Sequence, residues 1–221
     1  MQSEYNQEQV LEHIYAEVQR QFAGIADLAH GWEHVYRVYR MALYLAKQEG
    51  ADQHIVGLAA LLHDGGHTAV REGEHHADSS VALAEAMLQR YQVPAEQQQA
   101  ILHAILAHSF SRGVEPRTVE ACVVRDADRL DGLGAIGIMR WAIVGASRST
   151  PETLTYHPTD PLAEEHEPQD HLYMLDHFYT KLLNLVDTMT TATGRRLAEQ
   201  RTAFMHTYLR AFKSEVDLLQ F

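Results

Sequence analysis

Residues 55–67, Ile-Val-Gly-Leu-Ala-Ala-Leu-Leu-His-Asp-Gly-Gly-His, decide how this chain reads. The run Ile55–Leu62 is apolar nearly all round, which suits a helix buried at the centre of a helical protein with neighbours on every side. It stops on His63 and Asp64, and Gly65 and Gly66 should end the helix. An imidazole and a carboxylate side by side at the end of a buried helix are candidate metal ligands.

The flanking segments carry the three-and-four spacing of amphipathic helices. In 5–22 the apolar residues are Val10, Leu11, Ile14, Tyr15 and Val18; in 32–48 they are Val35, Val38, Ala42, Leu45 and Ala46, with Gly50 as the stop. Helices follow at 78–91 and at 95–108, the second entered through Pro94. Segment 117–128 leads into 129–145, and two long helices, 170–192 and 195–218, are separated by Gly194. No convincing alternating strand and no internal repeat interrupt the series. The expectation is an all-α fold in a single domain spanning 1–221. Residues 146–170 hold four of the six prolines and read as a flap over the site or as a plain surface loop, with His157 and His166 facing solvent.

With 46% apolar and 22% charged residues the composition is that of a globular domain. The formal charge of −12 comes without a basic stripe, which argues against nucleic acid as a partner. No apolar run approaches the roughly 20 residues needed to cross a bilayer. The start, Met1-Gln-Ser-Glu-Tyr, lacks the pattern of a secretory signal, so a cytoplasmic location is expected. The single cysteine, Cys122, excludes an internal disulfide and reads as a buried, inert thiol. A small phosphorylated partner stays compatible with the acidity, because a bound divalent ion supplies positive charge locally.

Three further elements offer ligands to join His63 and Asp64: His34 upstream, and His108 and Asp128 downstream. His108 follows Ile101 and Ile105 on an inward stripe, whereas His103, five residues earlier, points elsewhere. The other reading of His108 is a hydrogen-bonded core histidine. Of the neighbours His75 and His76, one is favoured for the site and His76 is chosen, the alternative being capping or exposed residues. Such a mixture of imidazole and carboxylate suits Mn, Fe, Co, Ni or Zn better than the all-oxygen ions Ca and Mg.

The series His34, His63-Asp64, Asp128 resembles the HD-domain superfamily of metal-dependent phosphohydrolases, an all-α fold. The stretches 126–138, 177–183 and 193–201 resemble a bacterial branch of HD hydrolases, some of which are nucleotide pyrophosphohydrolases. The resemblance implies that His34, His63, Asp64 and Asp128 hold one divalent ion; Asp128, not Asp126, matches because it precedes Arg-Leu-Asp. It places His76 and His108 where binuclear members have ligands to a second ion, with Asp64 bridging. Two positions depart from the pattern. His67 stands where relatives place a catalytic carboxylate, so an imidazole would serve as acid or base, or join the metal shell, or be a surface residue. Gly31 stands where relatives have an aspartate, leaving Glu33 or Asp27 to support a ligand histidine.

The implied reaction is hydrolysis of a nucleotide or another small phosphate ester, metal-activated water attacking phosphorus. Arg37, one turn after His34, would take a phosphate oxygen; Arg129, next to Asp128, is a second candidate, and Lys181, one turn after His177, a weaker one. Each arginine also reads as part of a surface or structural ion pair. Two other functions stay open: a di-iron oxygenase of the HD fold, and a non-enzymatic ligand-binding module.

Overall fold

The structure is a computed structural model that describes residues 6–68, 76–109 and 112–218, the side chains of 76 and 77 excepted. Nine α-helices account for most of the described residues: α1 Gln7–Phe22, α2 Trp32–Glu49, α3 Gln53–Leu62, α4 His76–Arg90, α5 Ala95–His108, α6 Val119–Asp131, α7 Gly134–Arg148, α8 His177–Thr180 and α9 Ala192–Asp217. A single isolated bridge, Leu154 to Tyr173, is the extent of extended pairing among them. The fold is all-α, as the periodicity implies. No helix among the described residues is long and apolar enough to cross a membrane.

Contacts divide the chain into two compact units, one of Met1–Asp128 with Thr190–Gly194, the other of Arg129–Met189 with Arg195–Phe221. In the first, α3 packs against α1, α2, α4 and α5. Leu58, Leu61 and Leu62 have no exposed surface, and each such burial contributes about 1.5–3 kcal/mol. Asp52 starts α3 by accepting the N–H groups of His54 and Ile55 at 2.8 and 3.2 Å. Gly50 ends α2 in the left-handed conformation, φ 71°, as expected.

The glycines after α3 serve a different purpose from the one expected. The helix stops at Leu62 with His63 still helical, before either glycine is reached. Gly65 opens a 3₁₀ turn, Gly65–Thr68, and a Cβ on it would stand 2.5 Å from Leu83 Cδ2 of α4. Gly66 donates its N–H to the buried Ser80 hydroxyl at 2.9 Å. A Cβ at position 65 would therefore make the Leu83 side chain shift, and the backbone there has no positive φ that calls for glycine.

In the second unit two expectations are corrected. The continuous helix 170–192 is absent; the turn Met174–Asp176, α8 and the 3₁₀ turn Leu182–Thr188 take its place. Leu154 N–H donates to Leu172 carbonyl (2.8 Å), Met174 N–H to Leu154 carbonyl (2.9 Å) and Trp141 Nε1 to Met174 carbonyl (2.8 Å), so these backbone groups are diverted from an α-helix. The spacing Leu172, Leu175, Phe178 is three throughout, the 3₁₀ period. The break after α6 also moves: the helix runs on through Asp131, and the turn falls at Gly132-Leu133 before Gly134 at φ 72°.

His157 and His166 are not solvent-facing. Asp160 accepts the N–H groups of Glu164, Glu165 and His166, each at 2.9 Å, and bonds His166 Nδ1 at 2.7 Å. His166 Nε2 bonds the fully buried Asp176 at 2.9 Å, and the His157 ring stacks on His166 at 4.4 Å. The two aspartates hold the His166 ring between them, and His157 accepts the Asp160 N–H at 3.2 Å. Cys122 is half-buried, its Sγ 3.8 Å from Pro116 carbonyl.

Candidate metal centre

Four elements of the first unit deliver the candidate ligands. His34 lies on the buried stripe of α2 with Val35, Val38 and Leu45. His63 and Asp64 leave the end of α3, His108 is the last residue of α5, and Asp128 sits in α6. His34, His63 and His108 are all at most 4% exposed.

Their ligand atoms converge. His34 Nε2 is 3.3 Å from Asp64 Oδ2, 3.4 Å from Asp128 Oδ1 and 3.4 Å from His63 Nε2. His63 Nε2 lies 3.6 Å from Asp64 Oδ2 and 3.9 Å from Asp128 Oδ1. The other oxygen, Asp64 Oδ1, faces His108 Nε2 at 3.6 Å and His67 Nε2 at 3.7 Å. Two groups can each hold an ion: His34, His63 and Asp128, and His63, Asp64 and His108.

The donor set fits a transition ion on its own chemistry. His63 Nδ1 donates to Ala60 carbonyl at 2.7 Å, and His108 Nδ1 donates likewise to Ile105 carbonyl. With Nδ1 donating, a neutral ring at either position presents Nε2 as an acceptor. The bare Nε2 of His63 therefore faces another imidazole nitrogen at 3.4 Å, an arrangement that a shared cation relieves. Tetrahedral donors at the usual bond length of about 2.0–2.1 Å stand about 3.4 Å apart, which matches these separations.

Ala60 and Ile105 were missed in the sequence, though a signal existed. Their carbonyls belong to the last turns of α3 and α5, where carbonyls lack helical partners. A histidine at each helix end takes the carbonyl three residues back. Main chain thus orients these two rings, not the expected Glu33 or Asp27. Glu33 has an 83% exposed side chain, and Asp27 bonds His30 instead, Oδ2 to Nδ1 at 3.0 Å.

Burial lowers the pKa of His63 to about 4, against the opposing pull of Asp64. Burial would raise Asp64, but His63 and the hydrogen bonds of His108 and His34 outweigh it and hold the carboxyl well below the ordinary range. Asp128 is lowered too, because His34, His63 and His108 outweigh the opposing effect of burial. Anionic carboxylates and a neutral imidazole are the states a cation binds.

Asp126 has no capacity left for an ion. It is fully buried and accepts from Thr190 N–H (3.0 Å), the Thr190 hydroxyl (2.9 Å), Thr191 N–H and the Thr191 hydroxyl (both 2.7 Å). Arg37 has a 24% exposed side chain, and its Nη1 is 3.9 Å from Glu33. Arg129 Nη1 donates to Thr188 carbonyl at 2.7 Å, a tie within the second unit, where Lys181 is exposed. His103 accepts Arg117 N–H at 3.0 Å, apart from the cluster, as its place on α5 implies. The side chain of His76 lies outside the described residues.

Comparison with known proteins adds a family. The HD domain model matches residues 31–133. The uncharacterized protein YpgQ of Bacillus subtilis is 34% identical over 191 residues, 85% of this chain and 84% of its own length. The crystal structure of an HD-superfamily hydrolase from Bacillus thuringiensis superposes with a TM-score of 0.75 at 32% identity, covering 96% of this chain and 99% of that one. Bacillus subtilis YpgQ in complex with ADP gives 0.73 at 30% identity, covering 95% and 96%.

Proposed function

This chain belongs to the HD-domain superfamily, and we propose that it is a metal-dependent phosphohydrolase acting on a nucleotide or another small phosphate ester. The observation that carries the reading is the pair of ligand groups that meet at His63, one of His34, His63 and Asp128 and the other of His63, Asp64 and His108, with Asp64 Oδ2 also 3.3 Å from His34 Nε2. The likeness to an HD-superfamily hydrolase supports hydrolysis, and the ADP bound by YpgQ supports a nucleotide.

A divalent ion bound here would lower the pKa of water from about 15.7 to about 7 and polarise a phosphoryl oxygen. His34, His63, Asp64 Oδ2 and Asp128 would hold it. Asp64 Oδ1 faces the other way, toward His108 and His67, so with His108 and His76 it would be available to a second ion. His67 has a 28% exposed side chain, which lets it meet substrate and donate or accept a proton at Nε2. Arg37 is assigned to a phosphate oxygen, because it follows His34 by one turn of α2 and its side chain is 24% exposed. Arg129 and Lys181 stay secondary candidates for phosphate charge.

The test reconstitutes metal-free protein with Mn, Fe, Co, Ni or Zn separately and supplies nucleoside mono-, di- and triphosphates and simple phosphate monoesters. Phosphorus NMR then separates orthophosphate from pyrophosphate. Hydrolysis that requires the metal is the expected result, and the product tells which phosphorus is attacked. No release from any substrate with any metal would refute the reading, and oxygen uptake with iron would replace it with an oxygenase.

A further inference from the structure

Asp27 and His30 stand just before α2 and are bonded to each other. Asp27 Oδ1 accepts the N–H groups of Ala29 at 2.8 Å and His30 at 3.0 Å, so the Asp27 side chain closes this turn with main-chain donors and without the His30 ring. The third bond, from His30 Nδ1 to Asp27 Oδ2 at 3.0 Å, adds only an exposed pair worth little to stability. Its effect is to fix the plane of the His30 ring. That ring lies nearly parallel to the ring of His67, planes 13° apart and centroids at 5.2 Å. The far side of the chain of contacts is the metal cluster, since His67 Nε2 is 3.7 Å from Asp64 Oδ1.

His67 sits in a short 3₁₀ turn with a 28% exposed side chain, and a ring stacked against its face narrows the rotamers open to it. Resting on the phosphohydrolase reading, we propose that His30, locked by Asp27, is a positioning residue that holds the His67 ring over Asp64 by stacking. The role belongs to the face of the His30 ring, not to its nitrogens.

The closing experiment has a structural arm and a kinetic arm. Histidine ring signals are recorded by NMR in the metal-free protein, with His67 assigned through its loss in His67→Gln. His30→Ala should shift the His67 signal while leaving that of His166 in place; His30→Phe, which keeps a flat ring, should preserve a ring-current shift. In Asp27→Asn the amide oxygen still accepts the two backbone N–H groups but no longer takes the His30 proton, and the His67 signal should move partway. With manganese and the best nucleotide of the panel, His30→Ala should lower kcat about 10-fold or more, short of the roughly 10²–10⁴-fold cost of losing a general acid or base outright. KM and metal content should hold, and His30→Phe should recover most of the rate. An unmoved His67 signal in His30→Ala overturns the proposal, as does a moved signal with unchanged kcat or a Phe variant as slow as Ala. If the wild type turns over no nucleotide, the functional reading fails on that ground, and the NMR arm alone decides the positioning.

Discussion

Asp64 is the residue on which the site depends, because its two oxygens face different partners. Oδ2 is directed at His34 and His63, and Oδ1 at His108 and His67. Asp64→Ala should abolish both metal content and hydrolysis; full occupancy by elemental analysis in that variant would remove Asp64 from the ligand set. His108→Ala separates the nuclearities. If His108 holds a second ion, metal content falls from two per chain towards one, whereas unchanged content makes it a core histidine bonded to Ile105 carbonyl. Arg37→Ala should lower kcat/KM by roughly 10- to 150-fold, the equivalent of about 1.5–3 kcal/mol for a charge-assisted hydrogen bond. Metal content and melting temperature should stay put in that variant. An unaltered kcat/KM would return Arg37 to its pairing with Glu33.

At the scale of elements, α6 is held in place by its own aspartate. Asp126 takes four donors from Thr190 and Thr191, at the start of α9, and so fixes the helix two residues before Asp128. Gly194 is not the separator of two helices that the sequence suggests. It lies in the first turn of α9, where a Cβ would stand 2.4 Å from Asp126 Oδ2 and 2.7 Å from the Thr191 hydroxyl. Asp126 cannot yield without giving up bonds. Gly194→Ala should therefore destabilise by about 1–3 kcal/mol, a fall in melting temperature of about 2–4 °C per kcal/mol at this size. Manganese affinity should drop with it. A melting temperature equal to wild type would mean that this anchor is loose.

At the scale of the whole molecule, the second unit carries a pH dependence of its own. His166 bonds Asp160 and Asp176, with His157 and Tyr173 packed on its ring. Burial opposes its charge, but the hydrogen bonds to Asp160 and Asp176 outweigh that and raise its pKa. A group raised in the folded state contributes stability that is full below its unfolded pKa, about 6.5, and is lost as pH climbs through the folded value. The melting temperature of wild type should exceed that of His166→Gln most at about pH 6, and the gap should narrow by about pH 9. A gap that stays constant or widens across that range would show that the imidazolium does not stabilise this loop.

The sequence by itself determined the helical class and the family resemblance, because each depends on local pattern. An apolar run all round demands a buried helix, and the stripe Ile101, Ile105, His108 turns one histidine inward whatever surrounds it. Tertiary structure decided what those residues do with their partners. The break of 170–192 into turns follows from hydrogen bonds to Leu154 and Trp141, and the partial burial of His166 follows from its bonds to Asp160 and Asp176, with His157 stacked on its ring. The stacking of His30 on His67 and the division of Asp64 between two sets of nitrogens are likewise absent from any local string. Periodicity records which face of an element is apolar. It carries no record of which distant polar atom satisfies a given donor, and that choice is made only when the chain closes on itself.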